Sequence, residues 1–461
     1  MLSSNYALQG GILDTQHLGK VNDLIGKNIS VDQPSDDKNI NLIPAQFTLI
    51  NIMPHPATGI MPEIAIVAAA RTSFLGESTT LERDKKLFQY LYTHQHVSPS
   101  EMSEITFSVE DIEEKYIQEL VEDPRWKLNM LRTIKGSIII RMDLNNVVAY
   151  YKQSWSDSKT NPVKLFLKQV IETVYPWTAG LLNRNPMLGF KANNEVSYGN
   201  PVDVKRYMMD DGYGDRWVEM HENSGSDEAL SDILNETSKY EFHSVEDNIA
   251  TMFVTGDLRP LSLFSVKFAL RAPVLVLWQL VRHRSGNFNF QSGRYMAFGE
   301  DDLYLPDNWR KQSVSNKQGS SDEILTPSDF SEIRQRLVDN DNALVGQFAH
   351  EVLNSNNGDS PYSEFNSMLD DYYRLGHSVY QEMLTQGAAK EQARLFLPAW
   401  ASLYSAVVKF DLMFFMRFLR LRTASDAQLE IRNYADAMYS IWKESMPITA
   451  ELAKKYKFLG S

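Results

Sequence analysis

The sequence predicts a mixed α+β fold, from two local patterns and the composition. Ile105–Val109 (ITFSV) reads as a short strand, and Gly136–Leu144 (GSIIIRMDL) is a second apolar run. Apolar residues at helical spacing behind capping signals read as helices. The composition is 43% hydrophobic and 23% charged, which excludes a disordered chain. The 461 residues are enough for two or three domains with an ample core.

Residues 1–45 are polar and weakly periodic, and are expected to be a peripheral or mobile extension. Ile64–Ala70 (IAIVAAA) is a buried strand or a helix start, which period alone does not resolve. Thr79 with Glu82 fits a capping box that opens a helix through Leu87, Phe88, Leu91 and Tyr92. Residues 111–135 look helical. The stretch 186–228, rich in Asn, Gly, Asp and Tyr, looks like long loops or a boundary. Segments 308–330 and 354–363 look like surface loops. The last hundred residues read as helical, with a stripe from Met368 to Leu384 and Gly387 as a C′ residue. Ser425 and Gln428 suggest a capping box before the stripe Ile431, Tyr434, Ala435, Met438 and Trp442.

Two echoes suggest a tandem duplication. Arg141–Leu144 (RMDL) resembles Lys409–Leu412 (KFDL), and Ile105–Val109 (ITFSV) resembles Phe264–Phe268 (FSVKF).

Cysteine is absent, which removes disulfides, thiolate metal sites and any cysteine nucleophile. The net charge of −13 argues against a general nucleic-acid coat. The N-terminus has no basic-then-apolar pattern of a secretory signal, and no apolar run approaches a bilayer span, so a cytoplasmic protein with no membrane partner is expected. No G-x-G-x-x-G follows a strand, and there is no P-loop or H-E-x-x-H. His94 and His96 lack a third metal ligand nearby, and no metal site is expected.

Against the acidic average, Leu258–Gly299 contains no Asp or Glu, where about five are expected from the composition. It holds Arg259, Lys267, Arg271, Arg282, Arg284 and Arg294. An apolar segment ends at Arg282-His283-Arg284, and a polar loop then closes on Ser292-Gly293-Arg294. Guanidinium forks, a hydroxyl and Gly-loop amides suit an anionic ligand, and Phe288, Phe290 and Tyr295 could wall a planar ring. The competing reading is a basic helix C-terminus complementing the dipole.

Arg282-His283-Arg284, then seven residues, then Ser292 resembles the signature of the flavin-dependent thymidylate synthases. Around it, Arg271-Ala272-Pro273, Gln279, the segment Gly387–Pro398 with Arg394, Phe418–Arg422 and Ala427–Arg432 resemble further family blocks in the same order. Upstream, Ala69–Ser73, Thr80–Asp84 and His94–Glu101 resemble the family's opening helix and flavin-contacting turn. A degraded version of that turn stands at Asp257–Ser262.

The resemblance implies a mostly antiparallel sheet flanked by helices, present as two diverged copies. The expected layout is an extension at 1–45, a first synthase-like domain at 46–215 and a second at 216–461 carrying the basic signature. It also implies methylation of dUMP to dTMP, with FAD as cofactor and NADPH and methylenetetrahydrofolate as co-substrates, in a homodimer acting as a pseudo-tetramer. By the same resemblance Arg422 contacts the pyrimidine and is the catalytic residue. Gln279, Arg282, Ser292, Gly293, Arg294 and Arg394 hold the nucleotide. FAD is held by Arg282, His283, Arg284, Asp411 and Arg417, with His96, Ser98 and Glu101 supplied by the first copy.

Departures from the family pattern are Phe290 for a glutamate, Asp411-Leu412-Met413 for Asn-x-Arg, Arg417 for an asparagine and Asp426 for a histidine. They leave two alternatives: modification of another pyrimidine nucleotide, such as hydroxymethylation, or a flavin-free nucleotide-binding subunit.

Overall fold

The computed structural model describes residues 15–31, 44–53, 61–72, 80–94, 96, 98–122, 128–153, 161–182, 206–210, 212–237, 244–314, 320–355 and 361–459. Thr79, Ser73 and all of 186–205 lie outside them.

The first half runs α1 (Thr15–Leu24), β1 (Asn28–Val31), β2 (Ala45–Met53), α2 (Pro62–Thr72), α3 (Leu81–Thr93), a 3₁₀ turn at Ser98–Met102 and β3 (Glu104–Glu110). It continues with α4 (Glu114–Glu122), β4 (Leu128–Arg132), β5 (Ile138–Asp143), α5 (Leu144–Gln153), α6 (Pro162–Val174) and α7 (Pro176–Leu182). The second half runs β6 (Arg206–Met208), β7 (Gly212–Tyr213), β8 (Trp217–Asn223), α8 (Asp227–Thr237), α9 (Val245–Thr255), a 3₁₀ turn at Arg259–Leu263, β9 (Ser265–Pro273), α10 (Val274–Leu280) and β10 (Asn287–Phe290). Then follow β11 (Leu305–Pro306), β12 (Arg310–Gln312), β13 (Ser320–Ile324), α11 (Pro327–Val338), α12 (Ala343–Ser355), α13 (Pro361–Thr385) and α14 (Lys390–Ala393). The chain closes with β14 (Leu403–Asp411), α15 (Leu412–Arg422), α16 (Leu429–Trp442) and α17 (Pro447–Lys455).

Each half builds a five-stranded antiparallel sheet flanked by helices. The strand orders are β1-β2-β3-β5-β4 and β6-β8-β9-β14-β10. These are one topology, with β1, β2, β3, β5 and β4 matching β6, β8, β9, β14 and β10. Finer features repeat as well. β2 bulges against β3 between Leu49 and Asn51, and β8 bulges against β9 between Met220 and Glu222. In both halves the last helix begins Pro-x-Thr and is capped by an acid from the first helix after the bulged strand. Glu63 accepts from the Trp177 and Thr178 amides and the Thr178 hydroxyl at 3.0, 2.6 and 2.9 Å. Asp227 accepts from the Ile448 and Thr449 amides at 2.8 and 2.9 Å, and from the Thr449 hydroxyl. These bonds satisfy amides that a helix start leaves without partners.

Strand alternation joins the halves. On β5, Ile138 and Ile140 enter the first core while Ile139 packs into the second. On β14, Ala406 and Val408 enter the second core, and Val407 meets Ala69 and Met102 of the first half. The charged residues on these facing sides are buried. Glu104 accepts from Lys409 Nζ and the Ser265 hydroxyl, each at 3.0 Å, and from Arg141 at 3.3 Å. Arg141 also reaches Asp411 at 3.7 Å. Burial alone would raise the Glu104 pKa, but Arg141 and Lys409 overcome it and hold it below the usual range.

Several expectations are corrected. Tertiary pairing turns part of 111–135 into β4. It also makes Trp217–Asn223, inside the expected loop region, an interior strand of the second sheet. β14 runs through the helical C-terminal stretch as another interior strand. Ile64–Ala70 is helix, within α2. The cap of α3 is Thr80, whose side chain accepts from the Arg83 amide. Within 1–45, α1 buries Val21 and Leu24 in the first core, and β1 forms the sheet edge. Gln428 stands at the cap position of α16, but its side chain accepts from none of the helix-start amides. The segment 308–330 contains the β12–β13 hairpin. The RMDL and KFDL echo aligns in register, because Met142 pairs with Ile105 and Phe410 with Val266. That register sets Ile105 opposite Val266, so the ITFSV and FSVKF echo is two residues out. A two-residue slip keeps every side chain on its face, which is why the pattern could not detect it.

Candidate active site

The site begins where α10 ends. Buried Val276, Leu277 and Leu280 hold this short helix on the sheet, and Arg282-His283-Arg284 follow its last turn. Arg282 and Arg284 are exposed and have no carboxylate partner among the described residues. His283 is half-buried against Phe418, edge to face at 5.0 Å. Its Nε2 accepts from Arg422 Nε at 3.1 Å, so its proton sits on Nδ1. Burial, with the charges of Arg422 and Arg417, lowers its pKa to about 4, so it is neutral near pH 7. Arg422 Nη1 donates to Gln279 Oε1 at 3.3 Å. The remaining N–H groups of Arg422 have no hydrogen-bond partner among the described residues. Burial and the neighbouring Arg282 work against its charge, and an anionic ligand would relieve both.

The second cluster is Ser292-Gly293-Arg294 against Arg394. A Cβ on Gly293 would lie 2.8 Å from Arg394 Nη1 and 2.9 Å from Phe298, so only glycine lets the loop and Arg394 approach this closely. The Ser292 hydroxyl accepts from the Arg294 amide at 3.3 Å. Arg294 pairs with Glu391 at 2.8 Å in the open.

The first half reaches this face through its 3₁₀ turn, held on β10. Asn287 Nδ2 donates to Glu101 Oε2 at 2.7 Å, and Asn289 Nδ2 to the Ser98 carbonyl at 3.4 Å. The degraded turn at Arg259–Leu263 instead touches β4, where Asn129 Nδ2 donates to the Ser262 carbonyl at 2.8 Å. By sheet register Asn129 matches Asn287 and Ser262 matches Glu101, so the two contacts are reciprocal. His96 is exposed and stacks loosely on Tyr90 at 5.9 Å.

Asp411 is placed differently from the expectation. It caps α15 through the Phe414 amide at 2.9 Å and faces Arg141. It therefore belongs with the Arg259–Leu263 side of the contact between halves. Its register equivalent beside the Ser98–Met102 turn is Asp143, which the sequence reading missed although the RMDL and KFDL echo contains it. Asp143 caps α5 through the Asn146 amide at 2.8 Å. Its pKa is pushed up to about 6, chiefly by burial, with Lys409 and the Asn146 amide opposing the rise and Glu101 adding to it. Arg417 lies on the exposed face of α15, close enough to act on His283.

Gln279, His283 and Arg422 thus form one constellation, and Ser292, Gly293, Arg294 and Arg394 form another. Ser98 and Glu101 join from the other half through β10. Among the described residues no group of His, Asp or Glu could hold a metal, and no helix is long and apolar enough to cross a membrane.

Residues 218–448, half of the chain, match the family model described as thymidylate synthase complementing protein. The chain belongs to this family. The matched span contains every second-half residue of the site. The flavin-dependent thymidylate synthase of Aquifex aeolicus is 27% identical over 378 residues, covering 81% of this chain and 92% of that protein. That of Thermosipho africanus is 30% identical over 207 residues, covering 44% and 75%. A crystal structure of the UMP/dUMP methylase PolB from Streptomyces cacaoi bound with 5-Br dUMP is 23% identical, with a TM-score of 0.41. It covers 54% of this chain and 99% of that one, a likeness too loose to weigh.

Proposed function

We propose that this protein methylates dUMP to dTMP with bound FAD, taking carbon from methylenetetrahydrofolate and reducing equivalents from NADPH. Family membership makes it an enzyme of the flavin-dependent thymidylate synthase type. The observation that carries the reading is the meeting of Arg422, His283 and Gln279 with an Arg282/Arg284 tract that has no carboxylate partner among the described residues, in the turn leading into β10, the strand that holds the Ser98–Met102 turn.

The residues present fit the flavin. Two exposed guanidiniums without carboxylate partners offer charge-assisted bonds to a pyrophosphate, and the Ser98 and Glu101 turn adds polar groups beside them. When bound, FAD supplies the redox chemistry that the side chains lack. Arg394, Arg294 and Ser292 hold the nucleotide phosphate. Arg422 faces the pyrimidine, fixed at two corners by the neutral imidazole of His283 and the carbonyl of Gln279. Its free N–H groups stabilise negative charge on a ring carbonyl, which makes the ring carbon next to it the nucleophile. No thiolate is available to attack the ring, since the chain has no cysteine. Ser292 serves as a ligand donor.

The chain is read as two diverged copies of one domain, supported by the shared strand order, the matching bulges and the acid-capped Pro-x-Thr helices. The first copy brings the turn and the second the basic loop. Two chains would then form a pseudo-tetramer.

The test is incubation with dUMP, methylenetetrahydrofolate, NADPH and FAD, with products separated by mass. dTMP formation that depends on all four supports the reading, and its absence from folded, flavin-loaded protein ends it. A second reading rests on Phe290, half-buried and stacked on Phe288 at 6.0 Å in the glutamate's place. It is modification of another pyrimidine nucleotide, and a modified product from dCMP but not dUMP would select it.

A further inference from the structure

Gln279 belongs to a chain of polar contacts that runs away from the site. Its Nε2 donates to Gln428 Oε1. Gln428 Nε2 donates to Glu430 Oε2 at 2.8 Å. The other oxygen of Glu430 accepts from Arg310 Nη2 at 2.6 Å. Arg310 and Glu430 are only 14% and 12% exposed, so this is not a loose surface pair. Arg310 opens β12, in the segment between β10 and β14 that has no counterpart in the first half. The neighbouring Trp309 anchors that strand, its indole donating to Asn366 of α13 at 3.0 Å.

An amide in such a chain can face either way, but the two ends here cannot. A carboxylate only accepts and a guanidinium only donates. Glu430 therefore draws the NH₂ of Gln428. The carbonyl of Gln428 then draws the NH₂ of Gln279, and the carbonyl of Gln279 is left facing Arg422. Reversing either amide would set NH₂ against NH₂, or NH₂ against the guanidinium.

We propose that Arg310 and Glu430 are positioning residues, Glu430 setting the polarity of both amides and Arg310 holding Glu430 against Gln428, and that together they fix the pose of Arg422 toward the pyrimidine. This rests on the reading of Arg422 as the pyrimidine contact. Neither residue touches substrate. Their effect is confined to the base, because the phosphate lies with Arg394, Arg294 and Ser292.

The test is calorimetric titration of the full-length protein with dUMP and, separately, with 2-deoxyribose 5-phosphate. Arg310→Met is expected to lose tenfold or more in dUMP affinity and to bind the sugar phosphate within twofold of wild type. Arg310→Lys, which restores one donor and the charge, is expected to recover part of the loss. Glu430→Gln, which keeps the volume but can present NH₂ to Gln428, is expected to repeat the Arg310→Met pattern. Wild-type dUMP affinity in Arg310→Met and Glu430→Gln overturns the proposal, as does equal loss of both ligands, which marks a merely structural role. Wild-type protein that binds neither ligand overturns the functional reading itself.

Discussion

Between β4 and β5 the first half turns within residues 133–137, closed by a Ser137 carbonyl to Thr133 amide bond of 2.8 Å. Between β10 and β14 the second half carries residues 291–402, with a small core of its own around Phe298, Tyr373 and Tyr380. The sheets that frame the two connections share strand order, bulge and helix cap. What differs is what each half adds at the crossover. The second half has the basic loop, Arg394 and the Arg310 hairpin. The first half has the intact turn, while its counterpart in the second half lies on β4. The two halves thus share a strand order but not what is attached to it, the basic loop standing in one and the Ser98–Met102 turn in the other, and the proposed two-copy reading takes this as site residues changing more readily than the fold beneath them.

The comparison breaks most sharply at the seam. Glu104→Ala leaves Arg141 and Lys409 buried without their shared carboxylate, and is expected to cost about 3–5 kcal/mol in urea unfolding. A loss below about 1 kcal/mol would mean that the charges there do not join the halves.

Next comes the division of labour. Arg422→Met is expected to lower kcat/KM for dUMP by about 10²–10³-fold, typical of removing a preorganised charged donor. A comparable loss from Arg132→Met, in the matching first-half strand region where no basic loop follows, would make the site symmetric and contradict the division.

The helix caps test equivalence. Thr178→Val and Thr449→Val each remove one of three donors to an acid, at about 1 kcal/mol each. Clearly unequal losses would separate the two caps that the topology matches.

The smallest effects are in pH. Burial raises Glu63 to about 8 against its three donors, from an ordinary value of 4.5. Between these values the folded chain binds more protons at this site than the unfolded one, so its contribution to stability falls as pH rises from 4.5 to 8. Glu63→Gln should flatten that part of a melting-temperature profile. His283 has the opposite sign. Its pKa of about 4 lies below the ordinary 6.5, so stability falls as pH drops from 6.5 to 4. A proton NMR titration of His283 with a midpoint near 6.5 would show that its contact with Arg422 is not formed in solution.

Much of the site was legible along the chain, because its second-half residues fall in short blocks at the ends of regular elements. The local charge bias singled out Arg282, His283, Arg284 and Ser292 as candidates, while Arg394 and Arg422 entered only through the family resemblance. The helical stripes of α13 and α16 were legible because 3.6-residue spacing is a local property. β14 was not, since an interior strand buried at almost every position carries no alternation to read, and β8 was not, since Glu219, His221 and Glu222 read as loop residues until Arg206 and Lys267 are brought beside the two glutamates. Gln428 read as a capping residue, and its side chain turned out to face Gln279.

The sequence by itself determined the basic signature, the absence of any thiol and the helical faces, all properties of neighbours in the chain. Only the tertiary structure decided which acid accompanies which turn. Asp143 and Asp411 head the same local motif, and no local pattern separates them. The separation comes from strand register and from contacts such as Glu104 with Lys409, which join residues 305 positions apart.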